Sequence, residues 1–242
     1  MINWGHDEED VYKTLYGMKT DKESVNTLVV ISGGMDSAVC LAIAEYLRTP
    51  ETTIGCITFD YGQPHDKEII FARELGWHYN ADVKTINLHG LADNFKTALS
   101  KGSDIEIPDH SKSGVIPATY VPFRNSIFLT IAFGYAESWG YDRIIYGANA
   151  VDYSGYADCR PAFVDAINMV AYAYAIKIQV EAPIIYLSKA DIVRLGNHLQ
   201  VPWEKTWSCY RGEEKSCGHC PSCEYRLKGF EEAGIPDPIP YA

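Results

Sequence analysis

The chain has 242 residues, 47% of them hydrophobic and 22% charged, and its 21 Lys and Arg against 32 Asp and Glu leave a net charge of −11. These are globular values: they allow one large domain, or one domain with an appendage, and they exclude a disordered chain. The acidic balance argues against a protein that grips nucleic-acid backbones, which takes clustered Lys and Arg, and no apolar run reaches the roughly 18–20 residues of a membrane span.

Residues 1–26 form a polar, acidic extension in which Val11, Leu15 and Tyr16 can make one turn of an amphipathic helix. Its first ten residues lack the apolar core of a signal peptide, so a cytoplasmic location is expected. Residues 27–31 are apolar and β-branched, which predicts a central parallel strand, followed by Ser32-Gly-Gly-Met-Asp-Ser37 and a buried helix over 38–47. The alternation repeats, with strands predicted over 53–59, 83–86, 143–146 and 177–182. Helices are predicted over 67–75, 126–139, from about 161, and over 189–199. Residues 102–123 hold three Pro and two Gly and read as a long irregular loop. The reading is an α/β fold over 27–200, a doubly wound five-stranded parallel sheet, with a small cysteine-bearing C-terminal appendage over 201–242 packed on the core. Ligands in such folds bind beyond the carboxyl ends of the strands, where strand order reverses.

The segment Ser32 to Ser37 carries the first chemistry. Two glycines let main chain approach a ligand, and the helix that follows presents free N–H groups and the positive end of its dipole, which together make an anion site. The Gly-Lys-Ser/Thr ending of a Walker A loop is missing. The nucleotide site is read as Ile31, Ser32, Gly33, Gly34, Met35, Asp36, Ser37 and Ala38, bordered after the second strand by Asp60, Tyr61 and Gln63. Asp36 either holds Mg²⁺ on the phosphates or caps the helix. His65 is a candidate for acid–base work.

Seven cysteines are present, an odd number that suits a reduced protein better than a disulfide scaffold. Cys209, Cys217, Cys220 and Cys223 fall within 15 positions and can close a tetrahedral, structural zinc shell. Their C-x2-C-x2-C core also resembles iron–sulfur ligation, but Leu227 stands where the ferredoxin run has its fourth cysteine, so zinc is expected. His219 can replace one ligand or be a neighbouring loop histidine. Arg124 and Asn125 enter the helix after the long loop, and Asn149, Asp152, Tyr156, Asp158 and Arg160 follow the fourth strand. Carboxylates and amides can read the donor edge of a purine, and tyrosine supplies a stacking face. Cys159 reads as a nucleophile or, more plainly, as an inert thiol.

The six-residue loop matches the S-G-G-x-D-S signature of ATP pyrophosphatases, the PP-loop superfamily. Taken with Phe59 to Gln63, Val121-Pro, Arg124-Asn125, Tyr153-Ser-Gly-Tyr, Asp158-Cys-Arg160, Thr206-Trp-Ser-Cys-Tyr210 and the cysteine run, the chain resembles the 7-cyano-7-deazaguanine synthase family over residues 27 to 242. The resemblance implies conversion of 7-carboxy-7-deazaguanine, ammonia and two ATP into the nitrile preQ0, in queuosine-type biosynthesis. It further implies one zinc per chain, Mg²⁺ with ATP, a homodimer, and no nucleic-acid or membrane partner. Ser32, Asp36, Ser37 and Arg124 would carry the catalysis. The chain departs from the pattern at Pro64, Phe123 and Ala157, where Arg, Gly and Pro are usual. Phe123 beside Arg124 is expected to reshape the substrate pocket. The readings weighed against this one are a related deazapurine or macromolecular acceptor, another amide-forming or tRNA-modifying PP-loop enzyme, and a nucleotide-binding regulator.

Overall fold

Short segments bearing Val, Ile or Thr build five parallel strands: β1 (Thr27–Val30), β2 (Ile54–Asp60), β3 (Asp82–Asn87), β4 (Arg143–Tyr146) and β5 (Gln179–Glu181). They form one sheet in the order β3-β2-β1-β4-β5. The computed structural model describes residues 25–63, 66–100, 102–110, 116–151, 156–212 and 214–242. The amphipathic turn expected near Val11, and Pro64, His65 and Asp152, lie outside the described residues.

β1 is central and pairs with both neighbours, Val29 lying beside Cys56 of β2 and Ile145 of β4. Its side chains alternate, so Leu28 and Val29 are both buried but in different cores. On the Val29 face lie α1 (Met35–Leu47), α2 (Lys67–His78) and α5 (Lys189–His198), which contribute Leu41, Leu75 and Ile192. The Leu28 face is covered by α3 (Arg124–Trp139) and α4 (Pro161–Ala173), through Leu129, Phe133 and Ile167. Helices on both faces of a parallel sheet make the doubly wound architecture. Strand order reverses between β1 and β4, and the loops after these two strands open side by side there.

One helix was not anticipated. α6 (Pro221–Ala233) starts with Pro221 in its first turn and ends at Gly234, whose φ is +72°. Those are ordinary helix start and stop signals, masked in the sequence by the crowd of cysteines around them. α6 shares the main core, since Phe230 and the preceding Trp203 pack edge to face with ring centroids 5.3 Å apart. Arg226 of α6 is fully buried, pairs with Asp237 at 2.7 and 2.8 Å, and donates to Thr206 Oγ1 at 2.6 Å. Burying a guanidinium is tolerated only with such complete pairing. The pairing ties the C-terminal tail and the turn before Trp207 to one helix. Residues 102–110 and 116–123 hold no helix or strand, as their Pro and Gly content predicts.

Candidate active site

The phosphate loop is made by its own six residues. Ser37 Oγ donates to the Gly34 carbonyl at 3.0 Å and accepts from the Ser32 N–H at 3.2 Å, while the two serine hydroxyls lie 3.3 Å apart. Gly34 is the N-cap of α1, so Met35, Asp36 and Ser37 are its first turn, three residues earlier than the apolar pattern suggests. All three residues line the crevice, and a helix start there is the arrangement that attracts anions. Gly33 is required for two reasons: its φ is +80°, and an added Cβ would lie 2.5 Å from the Glu68 carbonyl of α2. Its missing side chain therefore serves packing against α2, whereas Gly34 lines the cavity. Gly147, after β4, would place a Cβ 3.0 Å from the Ser37 nitrogen, so glycine there lets the two loops meet.

The loop opens into a cavity of about 550 Å³, within the usual range for a ligand pocket. Tyr61, Phe128 and Arg124 line one side, Asn149 and Tyr156 another, and Trp207, Tyr210 and Tyr225 of the C-terminal segment a third. Arg124 donates to the Tyr61 hydroxyl at 3.3 Å and lies 5.7 Å from the ring centroid. Burial alone would lower the Arg124 pKa, but Tyr61, Tyr156, Tyr210 and Glu68 outweigh it and raise it, so the cavity holds a permanent cation. Burial pushes the Tyr61 hydroxyl up to about 12, so it remains a neutral donor and acceptor. Tyr156 and Thr119 share a hydrogen bond of 2.6 Å. Burial, with Asp158 nearby, pushes Cys159 up to about 11, which leaves a thiol rather than a nucleophile at neutral pH.

Of the predicted residues, Ile31, Ser32, Gly34, Met35, Asp36, Ser37, Tyr61, Arg124, Asn125, Asn149 and Tyr156 line this cavity. Others do not. Asp60 turns to His89, 2.7 Å away, and Gln63 is buried between the Tyr61 N–H and the Phe59 carbonyl, shaping the turn after β2. Ala38 is buried in the core, Arg160 is exposed at the start of α4, and Asp158 is buried with one carboxylate oxygen unpartnered among the described residues. Asn149 spends its amide N–H groups on the carbonyls of Ile184 and Leu187, so it also braces the loop before α5. Phe123 is 71% exposed and is not part of the cavity wall, contrary to the expected remodelling. Its φ of +58° explains why glycine suits the position.

Sequence reasoning missed Lys189, Glu68, Thr119 and Trp207, all of which line the cavity. Lys189 Nζ sits 2.8 and 2.7 Å from the two carboxylate oxygens of Asp36. A signal existed: Lys189 opens α5 directly after its N-cap Ser188, within the Ser188–Asp191 capping box, where the helix dipole disfavours a cation. A lysine there needs a carboxylate partner, and Asp36 supplies it.

Cys209, Cys217, Cys220 and Cys223 are buried together, their sulfurs all within 4.8 Å of one another. Tetrahedral zinc with bonds of about 2.3 Å needs sulfurs about 3.8 Å apart, and Cys217 and Cys223 are 3.9 Å apart. Hydrogen bonds from Cys220 and Cys223 lower the Cys209 thiol pKa, and the same bonds raise those of Cys220 and Cys223, so one thiolate is shared among the sulfurs. His219 is exposed and pairs with Asp109 at 3.0 Å, outside the sulfur cluster.

Comparison with known proteins follows the same lines. The family model of queuosine biosynthesis protein QueC matches residues 26–234. A 7-cyano-7-deazaguanine synthase of Thermoplasma volcanium is 47% identical over 223 residues, covering 89% of this chain and 90% of its own. One from Oceanobacillus iheyensis is 43% identical, covering 92% and 99%. Among solved structures, NMN synthetase from Francisella tularensis superposes with a TM-score of 0.52 at 14% identity, covering 94% of this chain and 85% of that one. The U34-tRNA thiolase NcsA from Methanococcus maripaludis with its 4Fe–4S cluster gives 0.50 at 16% identity, covering 92% and 70%. At these identities the two structures speak for the fold alone.

Proposed function

The chain belongs to the family of queuosine biosynthesis protein QueC, and from that premise we infer that it is an ATP-dependent carbon–nitrogen ligase making 7-cyano-7-deazaguanine from 7-carboxy-7-deazaguanine and ammonia. One observation carries the reading: the phosphate loop, ordered by its own serines, lines the same cavity as the permanent cation Arg124. That supports an anion site for pyrophosphate and a counter-charge for a carboxylate in the same space.

The reaction follows from the product. A nitrile keeps neither oxygen of the carboxylate, so each oxygen must be activated and expelled. The carboxylate attacks the α-phosphorus of ATP, giving an acyl adenylate and pyrophosphate, and ammonia displaces AMP to leave an amide. The amide oxygen then attacks the α-phosphorus of a second ATP, which expels pyrophosphate and, with loss of one N–H proton, gives an adenylated imidate. Loss of AMP and the second N–H proton gives the nitrile. Each AMP carries away one carboxylate oxygen. Ser32, Gly33, Gly34 and Ser37 cradle the pyrophosphate through main-chain N–H groups and hydroxyls. Arg124, with its fork fixed by Tyr61, offsets charge on the carboxylate and on the pentavalent phosphorus. Asn125, Tyr156 and Asn149 are the polar groups in reach of the deazaguanine. Phe123 leaves the substrate unchanged because its ring points away from the cavity.

Two cations complete the proposal. Mg²⁺ would screen the phosphates with Asp36 as its protein ligand, once Lys189 yields that carboxylate. Zinc would occupy the four-cysteine shell and supply cohesion rather than chemistry, since no position is left open. The close sulfur spacing favours one ion over an iron–sulfur cluster, which puts several atoms between its thiolates. Reduced cysteines fit the cytoplasm. A homodimer is the expected assembly, and α4 offers a surface for it in exposed Met169, Tyr172 and, just beyond, Tyr174. Light scattering reads this directly.

The test of function is mass spectrometry of the purified chain incubated with 7-carboxy-7-deazaguanine, ammonium and Mg-ATP. The nitrile should accumulate with AMP and pyrophosphate. Accumulation of amide alone would make the chain an amide-forming relative instead.

A further inference from the structure

The C-terminal segment that bears the cysteines meets the phosphate loop through Trp207. The main-chain N–H of Trp207 donates to the Gly33 carbonyl at 2.8 Å, and its indole N–H donates to the Cys209 carbonyl, also at 2.8 Å. The Trp207 ring is buried in one cluster with the four cysteines, stacks on Phe71 of α2 with centroids 5.7 Å apart, and lies 4.0 Å below the Lys67 ammonium. The preceding residue, Thr206, is held by buried Arg226 of α6. Trp207 is therefore fixed from the cysteine side and grips the loop on the other.

What it grips matters. The Gly33 carbonyl and the Gly34 N–H belong to one planar peptide and point in opposite directions. Holding the carbonyl toward Trp207 turns the Gly34 N–H the other way, where it donates to Ser32 Oγ at 3.4 Å, and both residues line the cavity. A peptide between two glycines has little steric resistance to flipping, and a flip would put a carbonyl oxygen where an anion should bind.

We propose that the cysteine shell and the phosphate loop are one coupled unit, with Trp207 as the positioning residue that keeps the Gly33–Gly34 peptide in its anion-binding orientation. The inference rests on Ser32–Ser37 being the pyrophosphate cradle. Filling the shell with metal then tightens pyrophosphate binding, and by linkage pyrophosphate tightens metal binding by the same factor. A shell that only clamps the fold would move stability and leave both affinities alone.

The experiment is calorimetric titration of inorganic pyrophosphate into the full chain in three forms: zinc-loaded, stripped by chelator, and zinc-loaded Trp207→Phe. This substitution keeps a ring and removes the bond to Cys209. Affinity should fall about tenfold in the stripped and variant forms, a coupling of ordinary size. Zinc affinity, measured against a competing chelator, should rise by the same factor when pyrophosphate is present. In turnover, Trp207→Phe should raise the KM for ATP and leave that for the deazapurine unchanged. If the stripped chain loses its circular dichroism, the zinc-loaded variant decides. Equal pyrophosphate affinity in folded stripped protein, or in Trp207→Phe, overturns the coupling alone. No pyrophosphate binding by the loaded native chain overturns the cradle and the coupling together.

Discussion

The two sides of the cavity are built in opposite ways. The phosphate side is largely local: the hydrogen bonds within it join residues no more than five apart between Ser32 and Ser37, with Trp207 and Lys189 bracing it from afar. The opposite wall is assembled from distant chain, with 63 positions separating Arg124 from Tyr61 and 37 separating Thr119 from Tyr156. A main-chain anion site needs glycines, hydroxyls and a helix start in one short order. A recognition wall needs side chains that only the completed sheet brings together. The first tolerates few substitutions and serves many reactions, whereas the second can change its ligand one side chain at a time.

That contrast can be broken by mutation. Ser37→Ala should have the largest effect, a loss of roughly 100-fold or more in kcat for both ATP-consuming stages, as when a preorganised donor at developing charge is removed. Steady-state kinetics with carboxylate and with amide would read it, and near-native turnover would detach the loop from the phosphates. Arg124→Lys keeps the charge and loses the fork, so kcat/KM for the carboxylate should fall about tenfold to a hundredfold, the worth of one charged hydrogen bond. The KM for ATP should not move; if it rises equally, the two walls are not separate. Phe123→Gly is the small case. Relieving a left-handed conformation should contribute about 1 kcal/mol, a rise in Tm of roughly 2–4 °C for a chain of this size. A changed KM for the deazapurine would return Phe123 to the pocket.

The same contrast explains what could be read from the sequence. The five strands, the sheet's parallel character and the phosphate loop follow from apolar runs and one contiguous motif, and the four cysteines from their spacing. Three features stayed hidden for distinct reasons. Asp60 and Gln63 sit next to the site in sequence, but Asp60 is taken up by His89 at the end of β2, and Gln63 folds back in the following turn onto the main chain of Phe59 and Tyr61. Lys189 meets Asp36 across 153 positions, a pairing that only the placement of α5 against α1 creates. Trp207 was visible within a family motif, yet its contact with Gly33 is made by main chain, which no side-chain pattern announces.

In the proposed reaction the loop directs cleavage between the α and β phosphates, once for each carboxylate oxygen. The most direct measurement is AMP released per nitrile, counted with the carboxylate and then with 7-amido-7-deazaguanine as substrate. Two AMP are expected from the carboxylate, and one from the amide without ammonia, with pyrophosphate matching AMP throughout. Release of ADP in place of AMP, or an amide that never becomes nitrile, would contradict it.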